Sequence, residues 1–392
     1  MKLAIVITHP IQYYAPLFKL LTARGNIQLK VFYTWERGAE KFDVGFGKSF
    51  DWDIPLLEGY DHTFVSNKGN RKKGFWDVHN PSLNTEIAFW KPDAVLVYGW
   101  NYRSHLRAMR HFSGKATVLF RGDSTLLDKG HGTKELLRRS LLKWIYKPVD
   151  IALYVGSNNK EYFREYGLQE NQLMFAPHSI DNDRFTNETP AHIDYRGELL
   201  RSLSIPAQAK KILFTGKFQS KKNPVLLMKA FLQLNDPGVH LLMVGNGEQE
   251  QQLKELAADH PNIHFLPFQN QSMMPAVYRL GDVFCLPSQG PGETWGLAVN
   301  EAMACGKAIL VSDKTGCAID LVKNGENGYI FESNNLQDLT SKLKALLAAD
   351  YANMGKESLK IIKDWSFERQ AQCIEDALFS KRVFSDQGPT NP

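Results

Sequence analysis

At 392 residues, 43% of them hydrophobic and 23% charged, the chain has an ordinary balance able to bury a core. Its length suggests about two domains of roughly 150 residues each. No apolar run reaches the roughly 18 residues that a bilayer span needs, and the apolar start MKLAIVITHP is too short for a signal peptide with its cleavage site, so it reads as a first buried strand. The four cysteines (Cys285, Cys305, Cys317 and Cys373) lack metal-ligand spacing and fit reduced thiols in a cytosolic protein. The net charge of +5 is uneven: residues 1–185 hold 26 Lys and Arg against 19 Asp and Glu, and the rest hold 21 against 23. A basic first half points to an acidic partner, such as an anionic lipid surface or a phosphorylated acceptor. Ordinary solvated charge is the other reading.

Short apolar strands alternate with helical periodicity twice over. In the first half, 3–8, 27–34, 94–98, 116–120, 150–155 and 172–176 read as strands, with helices at 14–24, 82–90, 103–112, 133–147 and 157–166. Residues 186–210 are polar, hold two prolines and read as a linker. The pattern then restarts with strands at 211–215, 240–244, 263–266, 282–286, 308–312 and 328–331. Helices fall at 224–234, 248–258, 273–280, 295–304 and 336–349. Asn223-Pro224 reads as a helix start, with Asn as N-cap and Pro at the first helical position. This alternation predicts two doubly wound parallel sheets, which bind ligands beyond the carboxyl ends of their strands.

The most informative stretch is PSQGPGETWGLAVNEAMACGKAI (287–309), directly after a strand. Gly290 and Gly292 let backbone approach a ligand, and a helix predicted to start near Trp295 aims the N–H groups of Thr294, Trp295, Gly296 and Leu297 at it. Such a start favours an anion such as a diphosphate. Glu293 and Glu301 frame the start, about 9–12 Å apart at 1.5 Å rise per residue. That separation suits a carboxylate near a transferred sugar and another near the ribose hydroxyls. The plainer reading is two ordinary helix carboxylates.

Here the chain resembles a known family. The stretch resembles the Glu-x7-Glu signature of retaining glycosyltransferase family 4, with Pro-Ser before it, Glu-Ala-Met-Ala-x-Gly after it, and Trp295 in a usual Phe place. LFTGKFQSKKNP (213–224) resembles the family's Gly-Arg-x4-Lys loop, with Gly216, Lys217 in the Arg place and Lys222 as the Lys. VGNGEQEQQL (244–253) matches a Gly-x-Gly turn at Gly245, APHSIDNDRF (176–185) the hinge segment, and the run 265–288 a segment placing backbone near Phe268 against the base. By that resemblance, Glu293, Lys217 and Lys222 are catalytic. Glu301, Thr294, Trp295, Gly296, Leu297, Gly216, Gly245 and Phe268 bind the donor. In a metal-free enzyme, fixed cations facing a helix start neutralise the leaving diphosphate.

The first half departs from the family. After the first strand, THPIQYYAPLF (8–18) replaces a Gly-Gly loop, making His9, Gln12 and Tyr13 acceptor- or sugar-side candidates; the tyrosines could equally pack the first helix. Where the family has a sugar-contacting His, this chain has Arg121-Gly122-Asp123-Ser124. Arg121 or Asp123 takes that contact, or the sugar is held otherwise and Asp123 caps the next turn. The loop 35–60, with Trp35, Phe42, Phe46, Phe50 and Trp52, covers an acceptor or forms an apolar satellite cluster. Helix 133–147 is basic and amphipathic, with Lys134, Arg138, Arg139, Lys143 and Lys147 beside Leu137, Leu141, Trp144 and Ile145. It lies on an anionic membrane or packs on the core.

The resemblance implies an α/β protein of the GT-B class, two Rossmann-like parallel-sheet domains facing a central cleft. Residues 1–185 would be the acceptor-side domain, 186–210 the linker, 211–363 the nucleotide-sugar-binding domain, and 364–392 a terminal helix crossing back. The implied activity is retaining, metal-independent hexosyl transfer from a nucleotide-diphosphate sugar, UDP before GDP. The implied acceptor is a glycan or lipid-linked glycan in bacterial surface polysaccharide assembly, in the cytoplasm or at the membrane's inner face. No metal, no cofactor beyond that co-substrate and no nucleic acid are expected. A nucleotide-sugar epimerase or hydrolase on the same scaffold and a non-catalytic nucleotide-binding protein are the rivals. A NAD-dependent oxidoreductase would need a Gly-x-Gly-x-x-Gly turn after the first strand, which THPIQYY is not.

Overall fold

The computed structural model describes residues 1–35, 42–43, 48–49, 53–69, 74–130 and 132–385. Of the aromatic loop 35–60, Phe46, Phe50 and Trp52 lie outside the described residues. The chain forms two compact units. The first takes the N-terminal strands and Pro55–His178 and regains the chain at Phe367; the second holds Ser179–Ser366.

In the first unit, strands β1 (Lys2–Ile7), β2 (Gln28–Tyr33), β3 (Asp61–Phe64), β4 (Ala94–Tyr98), β5 (Thr117–Arg121), β6 (Ile151–Tyr154) and β7 (Leu173–Phe175) build one parallel sheet. Its order is β3-β2-β1-β4-β5-β6-β7. A parallel sheet is covered on both faces, so its strands read as unbroken apolar runs; every residue of β4 is buried. One face packs on Leu17, Phe18 and Leu21 of helix Ala15–Arg24 and on Ile374, Ala377 and Leu378 of helix Phe367–Ser385. The other packs on helices carrying Leu83, Ile87, Met109, Phe112, Leu142, Ile145 and Phe163.

An ion pair locks the returning helix. Arg24 Nε and Nη2 donate to Glu375 Oε1 and Oε2 at 2.9 and 2.7 Å, and Asn26 Nδ2 adds a third bond at 3.1 Å. The Arg24 bond holds the buried Glu375 carboxyl below its ordinary pKa. Its stabilisation is therefore complete above the unfolded value of about 4.3 and is lost as pH falls through the lower folded value. Glu375→Gln is expected to cost about 2 kcal/mol at neutral pH. Urea midpoints of the variant and the parent should converge in acid; a gap that persists below the folded value would remove the ion pair as its cause.

In the second unit, β8 (Lys210–Thr215), β9 (Val239–Val244), β10 (Ile263–Leu266), β11 (Val283–Leu286), β12 (Ala308–Ser312) and β13 (Gly328–Phe331) form a parallel sheet ordered β10-β9-β8-β11-β12-β13. In each sheet the chain winds outward from its first strand, then crosses to the other side. The switch points lie between β1 and β4 and between β8 and β11, where loops splay apart and leave room for a ligand.

Three segments differ from the sequence reading. β3 is a short edge strand, DHTF, too polar to signal burial. Residues 186–210 are not a bare linker but carry helix Pro190–Ser202. Thr189 caps it, its side chain accepting from His192 N. The helix is held to the second unit by His192 to the Ser272 carbonyl and by Tyr195 to Gln269. Only His192 of that helix is buried, so no apolar stripe announced it. Finally, Asn223 stands at the N-cap position of helix Pro224–Leu234 but does not cap it. It adopts φ 51°, and its side chain donates to Asn334 Oδ1 at 2.9 Å. The cysteines are free thiols, and burial raises the pKa values of Cys285, Cys305 and Cys317.

Candidate functional site

The second unit gathers its polar side chains at the switch point. β8 ends at Thr215 and turns at Gly216 (φ 146°) into a loop carrying the half-buried Lys217. The Gly-x-Gly turn after β9 is required by this loop: a Cβ on Gly245, at φ 138°, would lie 2.1 Å from the Gly216 carbonyl oxygen. The two loops are joined by Gly216 N to the Val244 carbonyl and Phe218 N to the Asn246 carbonyl, at 3.0 and 2.9 Å. Gly216 and Gly245 thus shape the loop that carries the cations.

A short 3-10 turn, Ser220–Lys222, then brings Lys222 Nζ to 2.6 Å from Glu293 Oε2. The Lys222 side chain is 17% exposed and that of Glu293 7%. Ser288 Oγ donates to the same carboxylate oxygen at 3.1 Å. Gln289 fastens the loop after β11 to the loop after β8, its backbone N donating to the Lys221 carbonyl and its Nε2 to the Ser220 carbonyl. Two of the three catalytic candidates therefore form a contact ion pair, and Lys217 lies earlier in the same loop.

The following helix spans Leu297–Ala304, with Gly296 at its N-cap in the left-handed region (φ 98°). It starts two residues later than expected, because the backbone of Gly296 breaks the helical path. Thr294 and Trp295 precede it in a bend that donor contacts would reach through the main chain. The Trp295 side chain is committed to packing: it is 3% exposed, its Nε1 donates to Asn300 Oδ1 at 2.9 Å, and its ring lies 5.0 Å from that of Trp365. Leu297 and Thr294 are half-buried, as is Phe268 beyond β10.

The lead-in is pinned from outside by Gly316 N and Cys317 N, which donate to the carbonyls of Glu293 and Trp295 at 3.0 and 2.9 Å. A Cβ on Gly316 would fall 1.8 Å from the Thr294 oxygen, a backbone atom with no freedom to yield. Gly316→Ala is expected to destabilise the protein by about 2 kcal/mol through overpacking. It should also lower turnover by displacing Glu293; a variant that melts with the parent would contradict this packing.

Glu301 is 3% exposed, and its Oε2 accepts from Tyr278 Oη at 2.7 Å. Tyr278 in turn accepts from Thr215 Oγ1 at 2.9 Å. The end of β8 is thereby connected through a buried tyrosine to the Glu301 carboxylate. The sequence reading missed Tyr278. The available signal was an apolar helix ending in a residue whose hydroxyl needs a partner once buried.

In the first unit, the loop after β1 holds His9, exposed and stacked on Trp35 at 5.4 Å, with Nδ1 2.9 Å from Thr8 Oγ1. Gln12 and Tyr13 are half-buried beside it. Arg121 corrects the expectation. It is 1% exposed, and its Nη1 and Nη2 donate to the carbonyls of Ala176 and Pro177 at 2.8 and 3.0 Å. Its guanidinium fastens the end of β5 to the segment after β7 and is not presented to a sugar. Burial, and next to it the Arg121 charge, hold the His178 imidazole well below its ordinary pKa. Asp123 is half-buried and stays a candidate.

Comparison with known proteins bears on the second unit most directly. Residues 196–363 match the family model of glycosyl transferases group 1. The D-inositol 3-phosphate glycosyltransferase of Geodermatophilus obscurus is 30% identical over 199 residues, which are 47% of this chain and 42% of that protein. The chain spans about half the length of the curated relatives it matches. Among solved structures, Anabaena HepE in complex with UDP and glucose superposes with a TM-score of 0.71 at 16% identity, covering 97% of this chain and all (100%) of that one. Sucrose-phosphate synthase from Thermosynechococcus elongatus gives 0.74 at 16% identity, with 99% and 100% covered.

Proposed function

The chain carries a glycosyl transferases group 1 domain on a GT-B fold, and from that premise we propose that it is a retaining, metal-independent hexosyltransferase. It takes a nucleotide-diphosphate sugar, UDP-linked in preference, and delivers the sugar to a glycan or lipid-linked glycan. It works in the cytoplasm. The observation that carries this reading is the 2.6 Å pair of Lys222 and Glu293 at the switch point of the second sheet. A buried carboxylate beside a mobile sugar ring needs a fixed counter-charge, and a departing diphosphate needs a cation already in place.

The residues divide the work. The ammonium groups of Lys217 and Lys222 and the N–H groups at the start of helix Leu297–Ala304 take up the charge of the leaving diphosphate. Glu293 binds the transferred sugar and steadies the positive charge growing at its anomeric carbon. The acceptor hydroxyl attacks from the face the diphosphate leaves, so the anomeric configuration is kept. Glu301, held by Tyr278, accepts from the ribose hydroxyls. Support for a UDP carrier comes from HepE, solved with UDP and glucose.

The test is a donor panel. UDP should raise the melting temperature progressively with concentration, as mass action requires. With a matched acceptor, proton NMR should show the donor's anomeric configuration in the product, and chelator should leave the rate unchanged. Inverted product would overturn the retaining assignment, and loss of activity in chelator the metal independence.

A further inference from the structure

Helix Thr133–Tyr146 in the first unit has more apolar surface than its fold needs. Leu142, Ile145 and Tyr146 face inward, each at most 2% exposed, and join the core with Phe120 and Phe163. A surface helix requires one such stripe. This one carries a second. Leu137, Leu141 and Trp144, spaced i, i+4, i+7, are 74%, 50% and 50% exposed, and at 100° per residue they lie on the side away from the core. Leu136 beside them is 65% exposed. The core-packing reading of this helix accounts for its inner face only.

Cations border the outer stripe. Lys134 lies on one side of it and Lys143 and Lys147 on the other, and the Arg110 guanidinium sits 3.2 Å over the Trp144 ring. The nearby carboxylates are already engaged, Glu135 by Arg138 and the Tyr166 hydroxyl, and Glu165 by Lys129 and Arg139. Next to Trp144 opens a cavity of about 580 Å³ lined by Lys143, Lys147, Tyr166, Gln169 and Gln172. Two ammonium groups and the side-chain amides of Gln169 and Gln172, set beside an exposed indole, match a phosphodiester head group lying at the level of an interfacial tryptophan.

We infer that this helix docks the protein on an anionic phospholipid bilayer, with Leu137, Leu141 and Trp144 entering the acyl boundary and Lys143 and Lys147 meeting head-group phosphates. A helix that keeps its inner face on the protein core presents only its outer face to a bilayer, so attachment through it is at the surface. An aliphatic and indole stripe with flanking lysines binds reversibly and is sensitive to lipid charge and salt.

Vesicle flotation tests it with the full chain. Binding is expected to vesicles of phosphatidylcholine with about a third phosphatidylglycerol, to be weak on phosphatidylcholine alone, and to fall as salt screens the charge. A Leu137→Ser, Leu141→Ser, Trp144→Ser variant and a separate Lys143→Gln, Lys147→Gln variant should each lose at least tenfold in partition coefficient. Because the substituted side chains are exposed, melting temperatures should match the parent. Equal binding to neutral vesicles, or full binding by either variant, overturns the assignment. A parent that is dimeric by light scattering and made monomeric by the triple variant overturns it too, since the stripe would then be covered by a second copy.

Discussion

Glu293→Gln is expected to lower sugar transfer by at least about a thousandfold, or roughly 4 kcal/mol of transition-state stabilisation, while nucleotide binding changes little. The substitution keeps the shape of the side chain and its bond from Ser288 but removes the charge that faces Lys222 at 2.6 Å. Two losses then coincide. In the proposed reaction the sugar loses the carboxylate that balances its growing positive charge, and the Lys222 ammonium, 17% exposed, loses its counter-ion. Because one ion pair underlies both, Lys222→Ala combined with Glu293→Gln should cost less than the sum of the single changes. Steady-state rates for the four proteins give the coupling directly. Turnover within tenfold of the parent in Glu293→Gln, with the fold intact by circular dichroism, would end the assignment of this carboxylate to the reaction.

Much of this architecture is legible in the sequence because burial on both faces leaves a mark. Runs such as AVLVY (94–98) and VFCL (283–286) admit few other readings. The Glu-x7-Glu stretch places both carboxylates, and the order of the strands places its loop at a switch point. What escapes is what leaves no periodic apolar trace. Helix Pro190–Ser202 buries only His192; its legible mark was Thr189-Pro190, a cap followed by proline, and the surrounding polarity masked it. Arg121 misled for a different reason. Position after a strand predicts proximity to a ligand, but not whether the side chain turns outward, and Arg121 turns into its own unit to satisfy the carbonyls of Ala176 and Pro177. The late helix start follows from Gly296 at φ 98°, a conformation that no apolar pattern encodes. The Thr215–Tyr278–Glu301 chain joins residues 63 and 23 positions apart, a proximity that exists only in the folded chain.

That chain carries the second large effect. Glu301→Ala is expected to weaken UDP binding about a hundredfold, or roughly 2.7 kcal/mol, with a smaller change in turnover at saturating donor. The reason is that an interaction made equally in the ground and transition states moves KM and leaves kcat. Tyr278 occupies Oε2 from one side, and a carboxylate has about four lone-pair sites, so capacity remains for vicinal hydroxyls. Tyr278→Phe should produce a milder version of the same loss by freeing the carboxylate to rotate. Calorimetry with UDP and with 2′,3′-dideoxy-UDP separates the ribose contact from general destabilisation. The parent should prefer UDP strongly, Glu301→Ala should bind both weakly and alike, and Tyr278→Phe should lie between. If the parent itself fails to distinguish the two nucleotides, Glu301 does not meet the ribose. If only Tyr278→Phe keeps the parent's full discrimination, the tyrosine supports the fold and does not aim the carboxylate.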